Sequence, residues 1–424
     1  MTMHEYHFGD FSVFIGKQGL DHYEKLSCPI RYGNYTEIHS GSFVFQFDLN
    51  AEIKHIQSKN GTAMDPMDWL KRTVANDWVY YSSGGYNGAF DAVGEYYVPC
   101  FTYPSNSLFG GNPFKQGILD VARASLQKIL KKIAGIGSPV QNPELQHFFD
   151  SLSRNDPQAL NARAEAFHRM IGGAVSVLPP DARHVDYDVI PLTISDGCIY
   201  NCRFCTIKTG KGFSVRSKGD IDEQIRNLQN FYGRDIRNFN SVFLGQHDAL
   251  HAGMDMIEDA AEKAYHSFDF ALSNIKGPRL FLFGSADSLL LSPDRLFRTL
   301  SLSPYETTIN IGLESVDEAT LKCLGKPLSP EKVTEAFERM IHINRSFPGV
   351  EITANFLYGD GFADSHLESV LDLIQRKCPR HYPKGAVYLS PYGKIRDRRA
   401  LVSGFKVIKN RCTLPMFMYI IQRL

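Results

Sequence analysis

The chain divides into two regions with different patterns of apolar and polar residues. From about Val189 onward, short apolar runs alternate with longer segments in which apolar residues recur every three or four positions. This alternation predicts repeated strand and helix units around a parallel sheet or barrel. The predicted strands cover 189–194, 241–245, 279–284, 307–313, 350–358 and 386–390. These six units predict an α/β fold, a partial TIM-like (β/α)6 barrel whose functional loops follow the carboxyl ends of the strands.

The first 175 residues follow another pattern. Residues 42–56 alternate in part and predict strand, whereas the sequence from Asp65-Pro66 through 67–74 predicts a short helix. Amphipathic helices are predicted over 114–135 and over 156–173, each ending at glycine. We therefore expect an α+β N-terminal accessory domain before the barrel.

Candidate domain boundaries follow from these patterns. The accessory domain is predicted over 1–175, and the pair Pro179-Pro180 marks a linker over 176–188. The barrel is predicted over 189–391 and a C-terminal extension over 392–424. The apolar stretch near the end of that extension is too short to cross a bilayer, so we expect it to pack as a terminal element.

Composition restricts the setting of the protein. The 424 residues are 43% apolar and 22% charged, as in an ordinary globular protein, and 46 Lys and Arg balance 46 Asp and Glu. This balance gives no overall attraction to nucleic acid or to an acidic membrane, so neither is indicated as a partner. No targeting segment or membrane span is apparent, and we therefore expect a cytoplasmic protein with reduced thiols.

Three of the eight cysteines lie close together, at Cys198, Cys202 and Cys205. Their spacing would also place them on one helix face as a stripe of buried thiols, and three thiolates with one distant histidine would suit zinc. Against the stripe, the segment directly follows a predicted strand and carries polar residues, as a loop does. A third interpretation is an iron–sulfur cluster on three cysteines, which leaves one iron open to a substrate or cofactor.

The motif Cys198-x3-Cys202-x2-Cys205, with Phe204 before the last cysteine and a six-strand pattern around it, resembles that of the radical S-adenosylmethionine (radical SAM) superfamily. The resemblance covers roughly residues 185–390. It implies a [4Fe–4S] cluster on the three cysteines, S-adenosylmethionine (SAM) on the fourth iron, and Phe204 as a cofactor contact. It also implies cleavage of SAM to a 5′-deoxyadenosyl radical that abstracts hydrogen from a substrate, with an electron donor such as flavodoxin or ferredoxin.

The second strand of the predicted barrel leads into further candidate site residues. Residues 243–250 stand where the family has a Gly-Gly-Glu-like stretch for the amino group of SAM. The resemblance therefore implies cofactor contacts by Gly245, Gln246 and Asp248, although this sequence lacks the Glu. His247 is a candidate acid–base catalyst near the mouth of the barrel, and a hydrogen-bonded structural role suits it equally.

Later strands carry the remaining candidates. Ser285 and Asp287 stand where the family holds the ribose hydroxyls, and both would also serve as turn residues. The stretch around Glu314 resembles a segment of the subgroup that contains oxygen-independent coproporphyrinogen oxidase and the methylthiotransferases, which implies that Glu314 faces the cofactor or the substrate. Asn355, on the next strand, is a candidate for the ribose or the adenine edge. Arg216 is a candidate for the SAM carboxylate, and a helix-start role is as consistent.

The sequence leaves the substrate open. It lacks the second cysteine trio of a methylthiotransferase, the later cysteine groups of auxiliary-cluster enzymes, and the Asp-x-His-x-x-Gly pattern of a cobalamin-binding domain. We expect a radical SAM enzyme that acts on an unidentified organic substrate. An anaerobic tetrapyrrole-modifying enzyme is the alternative within this class, and a non-catalytic zinc or iron–sulfur protein is the alternative outside it.

Overall fold

The structure is a computed structural model. It describes residues 3–23, 31–59, 61, 64–82, 92–94, 98–101, 113–136, 142–175, 177–205, 212–359, 361–380, 384–393, 398–419 and 424. Its two main parts are an antiparallel sheet from the first hundred residues and a parallel sheet flanked by helices.

The antiparallel sheet has eight strands in sequence order among the described residues. They are β1 (His4–Phe8), β2 (Phe11–Gln18), β3 (Asn34–His39), β4 (Phe43–Phe47), β5 (Ile53–Ser58), β6 (Trp69–Arg72), β7 (Trp78–Ser82) and β8 (Val98–Phe101). The strand prediction for 42–56 is confirmed by β4 and β5.

The helix predicted over 67–74 is wrong. This stretch contains β6, which pairs antiparallel with β5 on one side and with β7 on the other. All four residues of β6 are buried, so both faces of the strand are covered. A helix here would leave the ladder groups of two neighbouring strands without partners, and pairing therefore overrides the local helix-start signal.

Three helices pack on this sheet and on the edge of the parallel one. They are α1 (Ile118–Ala134), α2 (Pro143–Arg154) and α3 (Pro157–Ile171). Asn142 and Asp156 cap α2 and α3 by accepting backbone N–H groups of the first turn. The ring of Phe148 on α2 meets Phe47 of the sheet edge to face, with 5.5 Å between centroids. Both predicted amphipathic helices are confirmed, as α1 and α3.

The parallel sheet contains the six predicted barrel strands and one more. In sequence order the strands are β9 (Ile190–Thr193), β12 (Ser241–Gly245), β13 (Arg279–Ser285), β14 (Glu306–Glu314), β15 (Val350–Tyr358), β16 (Val387–Pro391) and β17 (Met416–Met418). They pair in the spatial order β17-β16-β15-β14-β13-β12-β9, all in parallel. The protein therefore has the expected α/β fold, and the apolar stretch near its end supplies a seventh strand. A short hairpin of β10 (Ser195–Asp196) and β11 (Ser214–Val215) follows β9.

Helices connect these parallel strands, as βα units require. They are α4 (Lys218–Tyr232), α5 (Met254–Ser267), α6 (Ala286–Leu291), α7 (Asp294–Leu302), α8 (Glu318–Leu324), α9 (Pro330–Ser346), α10 (Asp364–Lys377) and α11 (Arg398–Arg411). Ser217 and Asp220 form a capping box on α4, and Ser329 caps α9 ahead of Pro330. Among the described residues, no helix is both long enough and apolar enough to cross a membrane.

The segment between the two parts is buried. A 3-10 helix, Pro180–Val185, places Asp181 against the parallel sheet. Asp181 is 3% exposed and accepts hydrogen bonds from the hydroxyls of Tyr388 at 2.5 Å and Thr353 at 2.9 Å. The division of the chain into domains stays a prediction, but this segment packs as closely as the parts it joins.

Helix α3 runs beside the barrel and antiparallel to α4. From the middle of α3, the Arg163 side chain donates to the carbonyl of Phe231 at the end of α4. Just after α3, Gly172 lies against the guanidinium of Arg216, which precedes α4. The accessory region therefore extends along the barrel to the end where the cysteine loop lies.

Candidate active site

The sequence-predicted site residues follow the carboxyl ends of neighbouring parallel strands. The cysteine loop comes after β9, Gln246, His247 and Asp248 after β12, and Asp287 after β13. Glu314 is the last residue of β14. Because β9, β12, β13 and β14 are adjacent and parallel, these residues share one edge of the sheet, where ligands bind in open α/β folds.

The cysteine loop is fixed to the end of α8. Cys202 is 6% exposed, and Cys198 and Cys205 are partly buried. Between the last two cysteines, the Arg203 backbone N–H donates to the Leu324 carbonyl at 2.9 Å, and its guanidinium donates to the Lys322 carbonyl at 2.6 Å. These contacts hold the three thiols against the barrel.

A glycine is required where this loop meets α8. Gly325 has a φ of 63°, in the left-handed region, and a Cβ at this position would lie 3.0 Å from the side chain of Arg203. On the other side of the loop, the Phe204 ring meets Tyr392 edge to face with 6.2 Å between centroids. The structure therefore places Phe204 against the loop after β16.

The thiols lie beside a buried lysine that the sequence analysis did not identify. Lys326 is 8% exposed, and its Nζ donates to the Gly312 carbonyl at 2.8 Å and to Glu314 Oε1 at 3.4 Å. Burial raises the pKa of Cys198 to about 11 and also raises that of Cys202, while the charge of Lys326 lowers both. No local sequence pattern marks Lys326, because it reaches the thiols only through the fold.

Glu314 is a buried carboxylate at the same edge. It is 8% exposed, and burial raises its pKa while Lys326 opposes the rise. It has a φ of 69°, and its side chain lies back along its own strand, so that a Cβ on Gly312 would lie only 2.6 Å from Glu314 Oε1. Asn355 is level with Gly312 on β15, half-buried, and accepts a 3.4 Å contact from the Ser390 hydroxyl.

Asp287 is joined to the cysteine loop through a tyrosine. The Tyr200 hydroxyl donates to Asp287 Oδ2 at 2.5 Å, and the Tyr200 ring centroid lies 4.9 Å from Lys326 Nζ. Asp287 also pairs with Lys332. Burial raises the pKa of Asp287, but the hydrogen bonds from Lys332 and Tyr200 lower it overall.

Asp248 is the most buried carboxylate of the site, at 0% exposure. Its Oδ1 accepts the Ser285 backbone N–H at 2.8 Å and the Ser288 hydroxyl at 2.7 Å, and Ser285 in turn caps α6. Burial raises the pKa of Asp248. Ser285 therefore holds Asp248 through its backbone and supports α6 through its side chain.

Several polar atoms at this edge are buried and have no hydrogen-bond partner among the described residues. They are Thr193 Oγ1, Ser195 Oγ, His247 Nε2 and Asp248 Oδ2. Burial also lowers the pKa of His247. Because a buried polar group without a partner costs roughly 1–3 kcal/mol, their concentration at one edge fits a polar ligand that would satisfy them.

Arg216 lies at this end of the barrel but is held by another residue. Its guanidinium donates to both carboxylate oxygens of Asp196, at 2.8 and 2.9 Å, across the β10–β11 hairpin. Gln246 is 9% exposed, and its Nε2 lies 3.9 Å from the position of a Cβ on Gly173. The end of α3 therefore contributes to the rim of the site.

The donor set suits a cluster better than a single ion. No three His, Cys, Asp or Glu side chains within the described ranges are arranged to hold one metal ion. In a four-iron cluster each thiolate binds a different iron, so the sulfurs are spread more widely than around one ion. Three free thiols in one loop, with one of them buried, fit that arrangement.

Comparison with known proteins identifies the barrel. Residues 192–374 match the family model of the radical SAM superfamily. This match covers less than half of the chain and identifies a radical SAM domain within it. Enzymes of this family use a [4Fe–4S] cluster and SAM. No curated protein matches the chain significantly.

Three solved structures are partly similar to this chain. The cobalamin-dependent SAM radical enzyme OxsB is 16% identical, with 52% of this chain and 30% of that chain covered and a TM-score of 0.34. A radical SAM methyltransferase from Sphaerobacter thermophilus is 13% identical, with 55% and 66% covered and a TM-score of 0.35. Methylornithine synthase (PylB) is 11% identical, with 69% and 81% covered and a TM-score of 0.33. The match spans less than a third of OxsB, and similarities this low carry no functional argument.

Proposed function

We propose that the protein binds a [4Fe–4S] cluster through Cys198, Cys202 and Cys205 and cleaves SAM reductively to act on an organic substrate. The observation that carries this proposal is the meeting of three thiols and several unpartnered polar atoms at one edge of a radical SAM barrel. When bound, the cluster and SAM would supply one-electron cleavage to a 5′-deoxyadenosyl radical that abstracts hydrogen. An electron donor of the kind implied by the family, a reduced flavodoxin or ferredoxin, would provide the electron to the cluster.

Asp248 and Lys326 are the residues we assign to the amino acid part of SAM. Asp248 Oδ2 is a buried acceptor without a partner, as an ammonium group requires. Lys326 is a buried cation whose charge reaches Cys198 and Cys202, as a carboxylate near the open iron requires. Opposite charges on two sides of one site would orient SAM without help from solvent.

The remaining residues support the site. Tyr200 and Asp287 link the cysteine loop to the end of β13, which limits the movement of that loop. Glu314 holds Lys326 in place and would face the cofactor or substrate. Arg216 stays a prediction as a carboxylate ligand, because its guanidinium is already engaged by Asp196.

The first test is the iron and sulfide content after anaerobic reconstitution. We expect about four irons per chain in the natural protein and loss of most of them in each of Cys198→Ser, Cys202→Ser and Cys205→Ser. Cys323→Ser is the matched control, because Cys323 is an exposed free cysteine on α8. Unchanged iron content in the three loop variants would refute the assignment.

The second test is SAM affinity in variants that keep the cluster. Asp248→Asn removes a charge but keeps the oxygen that accepts from Ser285, and we expect SAM binding to weaken about tenfold or more. Asp294→Asn, on the exposed surface of α7, is the control and should bind SAM normally. Equal affinity in Asp248→Asn and the control would remove Asp248 from the cofactor site.

A further inference from the structure

A cavity lies at the opposite end of the barrel from the cysteine loop. Its walls include Asp188 and Val189, which precede β9, and Phe239, which precedes β12. Its other side is formed by β5, β6 and β7 of the antiparallel sheet. The cavity is partly open to solvent. Since the cysteines follow the carboxyl end of β9, this cavity is separate from the candidate active site.

The basic side chains of the cavity are all paired. Asp188 lies 3.0 and 3.2 Å from two lysines, and Glu52 lies 2.6 Å from each of two arginines. The four basic residues are Lys54, Lys71, Arg72 and Arg163. Two carboxylates are therefore sufficient to pair all the cations that line the cavity.

Two further carboxylates remain without a cation. Asp48 Oδ1 accepts two backbone N–H groups at 2.9 Å, and Asp235 Oδ1 accepts the Leu49 N–H at 3.2 Å and the Asn238 amide at 2.7 Å. Neither carboxylate forms an ion pair or uses its Oδ2 in a hydrogen bond with the residues that the structure describes. Burial raises the pKa of both acids, and Asp235 raises that of Asp48 further. Asp48 and Asp235 therefore lie close to each other without an ion pair among the described residues, although the nearby charge of Lys54 opposes the rise in the pKa of Asp235.

A buried hydroxyl points to the same space. Tyr232, the last residue of α4, lines the cavity and is 3% exposed, and its hydroxyl has no hydrogen-bond partner within the part of the chain that the structure describes. Burial raises the pKa of Tyr232, and Asp188 and Asp235 raise it further, which places the hydroxyl among the carboxylates. A buried hydroxyl without a partner is unfavourable, so this position suits a ligand with hydrogen-bonding groups.

The charges that line the cavity are unevenly paired. Four cations and four carboxylates line it, and Asp48 and Asp235 are the two carboxylates without an ion pair among the described residues. Beside the unpaired acids, Phe231 and Phe239 supply aromatic surface. The complementary ligand has one positive, hydrogen-bonding group on an apolar body.

We propose that this cavity binds a small organic ammonium compound. Its charged group donates hydrogen bonds to Asp48 and Asp235 and contacts the Tyr232 hydroxyl, while its apolar part lies against Phe231 and Phe239. This site is independent of the radical chemistry proposed above, since it lies at the other end of the strands.

The test uses two probes of the same shape, 2-phenylethylammonium and the neutral 2-phenylethanol. Binding of each to the full-length protein is measured by ligand-observed NMR titration. We expect the ammonium to bind at least about tenfold more tightly than the alcohol, because only the ammonium makes charge-assisted hydrogen bonds. Asp235→Asn and Tyr232→Phe should each weaken ammonium binding, the first by about tenfold or more.

The variants are chosen to keep the fold. Asparagine at position 235 retains an oxygen for the Leu49 N–H, and Asp48→Asn removes the neighbouring carboxylate charge if Asp235→Asn is unstable. Asp294→Asn on the far surface is the control and should not change binding. Equal binding of both probes, no binding of either, or unchanged ammonium binding in the cavity variants would overturn the proposal.

Discussion

Replacement of Lys326 by methionine tests the site through a stability measurement that needs no cofactor. In the natural protein Lys326 neutralises Glu314, and both are more than nine-tenths buried. Methionine keeps the length and the apolar stem but removes the charge. Lys326→Met therefore leaves Glu314 as an ionised carboxylate in an apolar environment, unless it binds a proton.

The loss in the free energy of unfolding depends on whether Glu314 stays ionised or binds a proton in the variant. Removing one partner of a buried ion pair destabilises a protein by about 3–5 kcal/mol. Protonating Glu314 instead costs about 1.4 kcal/mol for each pH unit above its ordinary pKa of 4.5, or about 5 kcal/mol at pH 8 and about 2 kcal/mol at pH 6. The protein adopts the less costly state, so we expect a loss of about 3–5 kcal/mol at pH 8 and about 2 kcal/mol at pH 6.

The direction of the pH dependence follows from linkage. Burial without Lys326 raises the pKa of folded Glu314 above its unfolded value, so the folded state holds the proton over a range where the unfolded state has released it. Stability of the variant must then fall as pH rises from about 4.5 to the folded pKa. The natural protein should show a weaker slope, because Lys326 opposes the rise.

The assay is urea unfolding of the cluster-free, full-length chain at pH 6 and pH 8, followed by circular dichroism. The matched control is the double variant Lys326→Met with Glu314→Gln, which removes the buried charge and should regain most of the loss. A single variant within about 0.5 kcal/mol of the natural protein at pH 8 would refute the reasoning, since that is the range of ordinary surface changes. So would a double variant no more stable than the single one.

Two further changes test contacts between the barrel and the segments that precede it. Gly172→Ala places a Cβ 2.2 Å from an Arg216 guanidinium nitrogen at a φ of 79°, and we expect a loss of roughly 1–3 kcal/mol in urea unfolding; a loss near zero would contradict this contact. Asp181→Ala removes the acceptor of two buried hydroxyls, those of Tyr388 and Thr353, and should reduce the free energy of unfolding by about 2–4 kcal/mol. Asp181→Asn keeps one acceptor and should lose less, and equal losses in the two variants would argue against hydrogen bonding as the cause.

The parallel sheet could be predicted from the sequence because of how its strands are buried. Strands covered on both faces are largely apolar runs, and the predicted strands at 241–245 and 279–284 coincide with β12 and most of β13. The strands of the antiparallel sheet were harder to predict from the sequence. In β6 the buried set includes Lys71 and Arg72, whose charges pair with residues distant in sequence, so no apolar run marks this strand.

The candidate site was only partly predictable for a similar reason. The three cysteines are neighbours in sequence, so their spacing could be recognised directly. Lys326 reaches the cysteine loop only because α8 returns it to the end of β14, and no local pattern records that approach. The pairing of Arg216 with Asp196 likewise depends on the β10–β11 hairpin, which the sequence analysis did not anticipate.

The most direct measurement of the central claim is formation of 5′-deoxyadenosine. The protein would be reconstituted with iron and sulfide without oxygen, reduced with dithionite and given SAM, with the product detected by chromatography and mass spectrometry. Our account predicts 5′-deoxyadenosine in the natural protein and in the exposed-cysteine control Cys323→Ser, and none in Cys198→Ser, Cys202→Ser or Cys205→Ser. Equal product formation in the loop variants and the control, or a natural protein that acquires neither a four-iron cluster nor bound SAM, would contradict it.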